Sequence, residues 1–157
     1  YAGGTGGASG YGAGAGGGAG AVGGNGASND GGTGGIDKSN LILSTTNATT
    51  ASVGQVSGSD VYYASGGGGG YTGSPGANPL GGGKGTVGTN ATANTGGGAS
   101  GGGNQTLGVG GSGVVIIRYP SSYTATIPGG LTQSSGSPFT EGSYKISVFT
   151  AGTGKSF

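Results

Sequence analysis

Few side chains in this sequence could carry out chemistry. His and Cys are absent from the 157 residues, and there are only four acids. Nucleophilic catalysis by a Ser-His-Asp or Cys-His arrangement is therefore excluded, and the commonest metal ligands are missing. Asp30, Asp37 and Asp60 offer the oxygen ligands that Ca²⁺ takes, but their spacing matches no EF-hand or repeat-type calcium loop. We interpret them as solvated surface acids, and we expect no enzymatic activity, no cofactor and no metal.

Two short motifs have no functional meaning in this context. GGGKGT at 81–86 lacks the G-x-x-x-x-G-K-[ST] spacing of a phosphate-binding loop. Asn47, Asn90 and Asn104 each begin an Asn-X-Thr sequon, as chance predicts in a chain rich in Asn and Thr. We assign neither a phosphate site nor a glycosylation site to them.

Three tyrosines are the best candidates for recognition. Tyr62, Tyr63 and Tyr71 flank the run of five glycines at 66–70. An exposed tyrosine offers a flat apolar face and a hydroxyl at low entropic cost. We predict that the three form an aromatic binding patch. The alternative is that they pack over the ends of the glycine-rich segments as the only large side chains there.

The low charge excludes two classes of partner. Five basic and four acidic residues give a net charge of +1. A nucleic-acid-binding protein needs a basic face, which one Arg and four scattered Lys cannot make. No apolar run approaches the roughly 20 residues that span a bilayer. We therefore expect neither nucleic-acid binding nor membrane insertion.

Glycine makes up 48 of the 157 residues, and its distribution divides the chain. Residues 1–35 hold 18 glycines and residues 66–113 hold 22, whereas the segment between them holds two. Collagen is excluded, because the Gly-X-Y spacing breaks repeatedly and there are only five prolines. We predict a glycine-rich domain at 1–113 with a polar insert at 36–65, followed by a C-terminal β segment at 114–157.

The glycine-rich blocks are predicted to form polyglycine-II helices. This helix has three residues per turn and no internal hydrogen bonds, so every N–H and C=O points outward and needs a partner in a neighbouring helix. Neighbouring backbones approach closely enough only where most residues lack a Cβ atom. The alternative is a mixture of turns and irregular loops. The predicted fold is thus mainly non-regular or all-β, a polyglycine-II bundle or sandwich with loop inserts and almost no α-helix.

The remaining segments predict strands and loops. The insert is predicted to be loop with short strand pieces, because its apolar residues do not repeat at helical spacing. The apolar run 114–117 predicts a strand buried on both faces, and the alternation in 123–127 and 143–148 predicts two half-buried strands. Residues 128–138 are predicted to be turn or loop. Arg118, directly after the apolar run, is expected to pair with an acid or to protect a strand edge.

The arrangement of these blocks resembles the glycine-rich tips of bacteriophage tail fibres and adhesins. The resemblance is carried by GYGAGAGGGAGAVGGNG at 10–26, YYASGGGGGY at 62–71, NTGGGASGGGN at 94–104 and, most specifically, GGSGVVIIRYP at 110–120. YKISVFTAGTGKSF at 144–157 is also similar to short β repeats of such virion proteins. The β segment with further glycine runs that usually precedes these runs is absent, so we expect the chain to be a processed product or a portion of a longer protein.

The resemblance implies a non-enzymatic receptor-binding tip in a virion tail fibre, outside the cell. Loops at 36–65, 71–80 and 86–95 would touch a bacterial surface receptor, either protein or glycan. Other tail-fibre chains would be partners, in a homo-oligomer. The alternative function is a structural subunit of a glycine-rich extracellular filament or matrix, for which GAGAG at 12–16 is the strongest cue. The three distinct inserts favour the binding module.

Overall fold

The computed structural model describes residues 1–8, 11–70, 88–102 and 107–153. Regular secondary structure in these residues is confined to the insert and to the C-terminal segment. The elements are β1 (Lys38–Ser39), α1 (Thr45–Ala51), β2 (Gln55–Ser57), β3 (Asp60–Tyr63), β4 (Val115–Pro120), β5 (Leu131–Gln133), β6 (Phe139–Glu141) and β7 (Tyr144–Gly152). The strands form antiparallel sheets, and the one helix is short. This architecture confirms the predicted fold class.

The glycine-rich blocks are ordered by backbone hydrogen bonds that recur every three residues. Ala13, Gly16 and Ala19 donate to the carbonyl oxygens of Gly70, Gly67 and Ala64, at 3.2, 2.9 and 2.8 Å. Both segments thus advance by three residues from one hydrogen bond to the next, which is the period of the polyglycine-II helix. Apart from an isolated bridge residue at Asp30, the described residues of 1–35 and 66–113 are neither helix nor strand. The prediction for these blocks is confirmed there. We call the segments 1–7, 12–36, 64–70, 95–102 and 107–113 the polyglycine bundle.

The run 65–70 lies at the centre of the bundle. All six of its residues are buried, because neighbouring segments surround it. Besides accepting from segment 13–19, it donates to segment 32–35 and accepts from segment 98–101; the Gly66 N–H to Gly35 O distance, for example, is 2.8 Å. The backbone groups of this helix therefore find partners on several sides without any side chain taking part.

Glycine is required in this central run because of the space a Cβ would need. A Cβ at Gly67 would lie closer than 3.0 Å to the carbonyl oxygen of Ala99, and one at Gly66 equally close to that of Gly16. None of the described glycines in 1–35 or 66–70 has a positive φ. The mirror-image conformation that only glycine tolerates is thus not used there. Close packing of backbones is the reason for the composition.

Two antiparallel sheets lie outside the bundle. The insert forms a three-stranded sheet in the order β1-β3-β2. In the C-terminal segment β7 is central, with β4 on one side and β5 and β6 on the other. The strand predicted at 143–148 is confirmed as β7, but the prediction that it is half-buried is wrong, because residues 146–149 are buried on both faces. The prediction that 114–117 is buried on both faces is wrong, because β4 is an edge strand and Val115 is 51% exposed.

Two further predictions for the C-terminal segment are wrong. Residues 123–127 alternate in sequence but belong to neither sheet, and 122–126 are exposed. A turn at Ser121 and Ser122 leads the chain away from β4, so β7 takes the position beside β4. Residues 128–138, predicted to be loop, contain the strand β5, which follows the bend at Gly130 and pairs with the end of β7.

The hydrophobic core joins the insert to the C-terminal strands. Its buried members from the two parts of the chain are Leu43, Ala48, Ala51, Val53, Val61, Phe139, Ile146 and Val148. The division of the chain at 113 stays a prediction, but the insert shares its apolar core with 114–157 and not with the polyglycine bundle. The bundle itself contributes one buried apolar side chain, Ala15.

Helix α1 was missed because its sequence TTNATTA has no amphipathic period long enough to detect. Its capping explains why it forms. The Ser44 hydroxyl accepts from the N–H of Asn47, and Ser52 ends the helix with φ 54° in the left-handed region. Ala48 and Ala51 are buried against the core. Tertiary packing thus stabilises a helix whose threonines have low propensity.

Candidate functional site

The first segments of the polyglycine bundle run in alternating directions, which gives the bundle two different ends. Tyr1 donates to Gly18 O at 3.1 Å while Gly7 donates to Gly12 O at 2.9 Å, so the first two segments are antiparallel. Ala27 donates to Asp30 O at 2.9 Å and closes the next turn at the end where Gly12 lies. The Ala13–Gly70 bond brings Gly70 to the same place.

We call the end that carries these turns the loop end. Its described residues are Ala8, Tyr11, Gly12, Ala27–Asp30, Gly70, Gly88–Asn90, Gly102 and Leu107–Val109. The described residues that flank the three internal undescribed segments, 8, 11, 70, 88, 102 and 107, are all loop-end residues. The longest of these segments is 71–87, with the sequence YTGSPGANPLGGGKGTV.

The opposite end carries the insert and the C-terminal segment, and we call it the β end. A hydrogen-bonded latch connects its two parts. Glu141 accepts through Oε1 from the N–H of Ser44 at 2.9 Å and from Nδ2 of Asn47 at 2.6 Å. Burial alone would raise the pKa of Glu141, but these hydrogen bonds and the positive charge of Arg118 lower it below its usual value.

Arg118 lies at the margin of the C-terminal sheet's core-facing side, because it pairs directly with the buried Ile146. Its guanidinium carbon is 3.8 Å from the centroid of the Tyr144 ring, which makes a cation–π contact between β4 and β7. It occupies edge strand β4, where a charge opposes pairing with another chain. Its position agrees with the expected protection of a strand edge, whereas its charge acts on Glu141 only through the lowered pKa of that acid.

The predicted aromatic patch is not assembled from adjacent rings in the described part of the chain. Tyr62 and Tyr63 are consecutive residues of β3, so their side chains point to opposite faces. Tyr63 packs against the hydrophobic core, and its hydroxyl is buried with no hydrogen-bond partner. Burial raises its pKa. Tyr71 lies outside the described residues. The binding role of these three tyrosines stays a prediction.

The three aspartates do not form a common site. Asp30 is exposed at the loop end, as predicted, and Asp60 is half-buried in the insert. The prediction that Asp37 is a solvated surface acid is wrong, since it is only 6% exposed and its Oδ2 has no hydrogen-bond partner. Burial raises its pKa, against the opposing effect of a hydrogen bond to its own backbone N–H. Asp37 is buried because it adjoins the close contact between Ile36 and Gly20.

The loop end presents one aromatic ring that the sequence analysis did not single out. Tyr11 is 82% exposed, and its N–H donates to the carbonyl oxygen of Ser28 at 3.1 Å. This bond holds the tyrosine beside the turn 27–30, whose residues Ser28, Asn29 and Asp30 are exposed. In the sequence, the position of Tyr11 as a lone large residue between two glycine-rich segments was the signal that could have identified it. A polyglycine helix has no way to bury such a ring.

The charges of the described residues are divided unequally between the two ends. Asp30 is the only charged one among the loop-end residues defined above. The β end has the other six described charged side chains: Asp37, Lys38, Asp60, Arg118, Glu141 and Lys145. The described residues of the loop end therefore offer hydroxyl, amide and aromatic groups, with a single charged side chain among them.

A cleft of about 550 Å³ lies where the bundle, the insert and β4 meet. Ile42, Tyr63, Val114 and Ile116, which pack on the edge of the core, contribute apolar surface to it, and Lys38 lies on its wall. Of the predicted site residues that the structure describes, Tyr63 lines it and Tyr62 does not. The cleft is at the β end, away from Tyr11.

Comparison with known protein families, curated proteins and solved structures finds no match to this chain. The likeness to tail-fibre tips therefore rests on the sequence segments named above. In the ranges 1–8, 11–70, 88–102 and 107–153, no helix is long and apolar enough to cross a membrane. Within these same ranges, no three Asp or Glu residues gather in a way that would hold a metal ion.

Proposed function

We propose that this chain is a non-enzymatic binding tip of an extracellular, virion-type fibre, held through its β end and contacting a host cell-surface receptor with its loop end. The observation that supports it best is the separation of the ends. The apolar core and six of the seven described charges lie at the β end. The turn 27–30 and the exposed Tyr11 lie at the other.

The bundle suits the presentation of a binding surface. Its segments are hydrogen-bonded to one another at every third residue, so the residues in the turns are attached to a fixed frame. A fixed frame lowers the ordering entropy that a receptor contact has to overcome. The polyglycine surface itself has almost no side chains, so specificity has to come from the turns.

The sequence-based prediction placed contact at the loops 36–65, 71–80 and 86–95, and the proposal moves it away from the insert 36–65 to the loop end. The reason is that large side chains of the insert form the core and are not available to a receptor. Leu43, Val53 and Val61 are fully or almost fully buried in the core shared with β6 and β7. Tyr62→Ala distinguishes the two positions, because Tyr62 faces away from the buried Val61. The proposal expects this variant to retain binding.

Adsorption of the labelled full chain to a panel of bacterial strains tests the proposal. One variant replaces 71–87 with a short Gly-Ser linker, and a control variant replaces the exposed segment 122–126 at the β end. We expect the first variant to lose adsorption and the second to keep it, both with unchanged melting temperature. Adsorption that survives the first change and is lost with the second would contradict the proposal. Indefinite filaments in electron micrographs, with no strain bound, would support the structural alternative.

A further inference from the structure

We infer that Tyr11, Asn29 and Asp30 form a subsite for a neutral carbohydrate at the loop end. The inference rests on the proposed function and specifies the chemistry of the receptor. It follows from three features of this region: a fixed and exposed ring, a neighbouring turn with exposed polar side chains, and the absence of a cation among the described loop-end residues.

The first feature is the position of the Tyr11 ring. At 82%, its exposure is the highest of any large apolar side chain in the described residues. Its backbone is nevertheless fixed, by the 3.1 Å bond to Ser28 O and by the close packing of Gly12, which is buried. A Cβ at Gly12 would collide with the carbonyl oxygens of Ala27 and Asp30. The ring thus extends from a rigid backbone and presents an apolar face to solvent.

The second feature is the turn beside this ring. The 2.9 Å bond from Ala27 N–H to Asp30 O closes the turn and leaves Asn29 at its tip. Asn29 offers an amide that both donates and accepts, and the Asp30 carboxylate accepts through two oxygens. A pyranose ring has an apolar C–H face and hydroxyl groups at its edge. The C–H face fits against an aromatic ring while the hydroxyls bond to the amide and carboxylate.

The third feature is the charge. Asp30 is the only charged residue among the described loop-end residues, so a phosphorylated, sulfated or carboxylated ligand would be repelled by Asp30 with no compensating Lys or Arg among those residues. A protein loop as the ligand is less well matched, because protein interfaces depend on a buried cluster of apolar or Arg side chains. The subsite offers a single ring surrounded by polar groups. A neutral sugar fits this chemistry best.

The test uses the full chain and a bacterial strain that it adsorbs to. Cells are treated with periodate, which cleaves vicinal diols of sugars, or with protease, and binding is measured before and after. Purified surface polysaccharide of the same strain serves as the soluble probe. The variants are Tyr11→Ala, Tyr11→Phe and Asn29→Ala. Tyr123→Ala is the matched control, because this tyrosine is 65% exposed but belongs to the C-terminal segment.

We expect periodate to abolish binding and protease to leave it unchanged. Tyr11→Ala should weaken polysaccharide binding about tenfold, the size of effect expected for the loss of one stacking contact. Tyr11→Phe keeps the ring and should stay within about threefold of the wild type. Thermal unfolding of each variant shows whether the fold is intact.

Three results would overturn the inference. Binding that resists periodate and is lost with protease would identify a protein receptor and leave the proposed function standing. Equal binding of the Tyr11→Ala and Tyr123→Ala variants would remove Tyr11 from the contact. Adsorption to no strain would end both the inference and the proposed function.

Discussion

The polyglycine bundle and the β end are stabilised by different interactions. In the bundle, backbone N–H and C=O groups of separate segments pair with one another, and Ala15 is its one buried apolar side chain among the described residues. At the β end, buried aliphatic and aromatic side chains from the insert and from β6 and β7 form a core. The comparison shows that removing side chains and packing them are two ways to bring backbone segments together. It also predicts opposite responses to mutation.

The largest effect is expected from adding a methyl group to the bundle. In Gly67→Ala the new Cβ would meet the carbonyl oxygen of Ala99 within a fully buried run, so segments would separate and several hydrogen bonds would break. Each buried group left unpaired costs about 1–3 kcal/mol, which suggests a loss of at least about 3 kcal/mol. Thermal or denaturant unfolding measures it.

The matched control for that variant is Gly113→Ala. A Cβ at Gly113 has nothing within 4 Å, and its φ is not positive. Its effect on stability should stay within about 0.5 kcal/mol. Equal melting temperatures for the two alanine variants would show that close backbone approach is not what requires glycine in the bundle.

The next effect concerns side-chain packing at the β end. Leu43 is fully buried in the shared core, and Leu43→Ala should lower the free energy of unfolding by about 2–5 kcal/mol. Leu41, two residues earlier, is 62% exposed, and Leu41→Ala should change it by less than about 0.5 kcal/mol. Denaturant titration of both variants provides the comparison. Similar losses for the two leucines would contradict a core built around the insert.

A smaller effect is expected in the pH dependence of the free energy of unfolding, from a carboxylate at the β end. Glu141 has a lowered pKa in the folded state, so its contribution is present above the unfolded value near 4.5 and is lost as the pH falls through the folded pKa. Glu141→Ala should cost about 1–2 kcal/mol at pH 7, because two hydrogen bonds to a charged group disappear. The variant should also lose less stability than the wild type when the pH is lowered through the folded pKa of Glu141. If the variant lost as much stability at low pH as the wild type, the hydrogen bonds of the Glu141 carboxylate would not contribute to stability.

Asp37 is expected to act with the opposite sign. Its raised pKa means that the folded state favours the protonated acid, so its contribution is fully present below the unfolded value of 3.8 and is lost as the pH rises through the folded pKa. Asp37→Asn should therefore raise the melting temperature at pH 7, by a few degrees at most, and have no such benefit at pH 3. A lower melting temperature at pH 7 would show that the buried carboxylate is paired.

The elements that were predicted correctly are those in which one physical requirement dominates. Residues 65–70 can pack their backbones only with glycine or very small side chains, so composition alone predicted the bundle. β7 was predicted because Tyr144, Ile146 and Val148 alternate with polar residues. α1 was missed since its stability comes from the Ser44 cap and from Glu141, which is 97 positions away from Ser44. The strand at 123–127 was overpredicted because alternation does not reveal whether an edge is available.

The position of the proposed site could not be predicted from the sequence. Aromatic residues near glycine runs are candidates in the sequence, but the sequence gives no order of segments and no ends. The antiparallel order, fixed by bonds such as Ala13 to Gly70, is what separates Tyr11 from Tyr62 and Tyr63. The two strand tyrosines also adjoin a core that only appears when 36–65 meets 114–157. Long-range packing of this kind leaves no local signal.

The smallest expected effect is that of salt on receptor binding. Six of the seven described charged residues lie at the β end, and Asp30 alone represents charge among the described loop-end residues. Salt screens attraction between charges, so binding through hydroxyl, amide and aromatic groups should change by less than about twofold between low and physiological ionic strength. Adsorption to bacteria at several salt concentrations measures this. A steep decline with salt would mean that charged groups make the contact, and the β end, with Lys38, Arg118 and Lys145, would then be the surface to mutate.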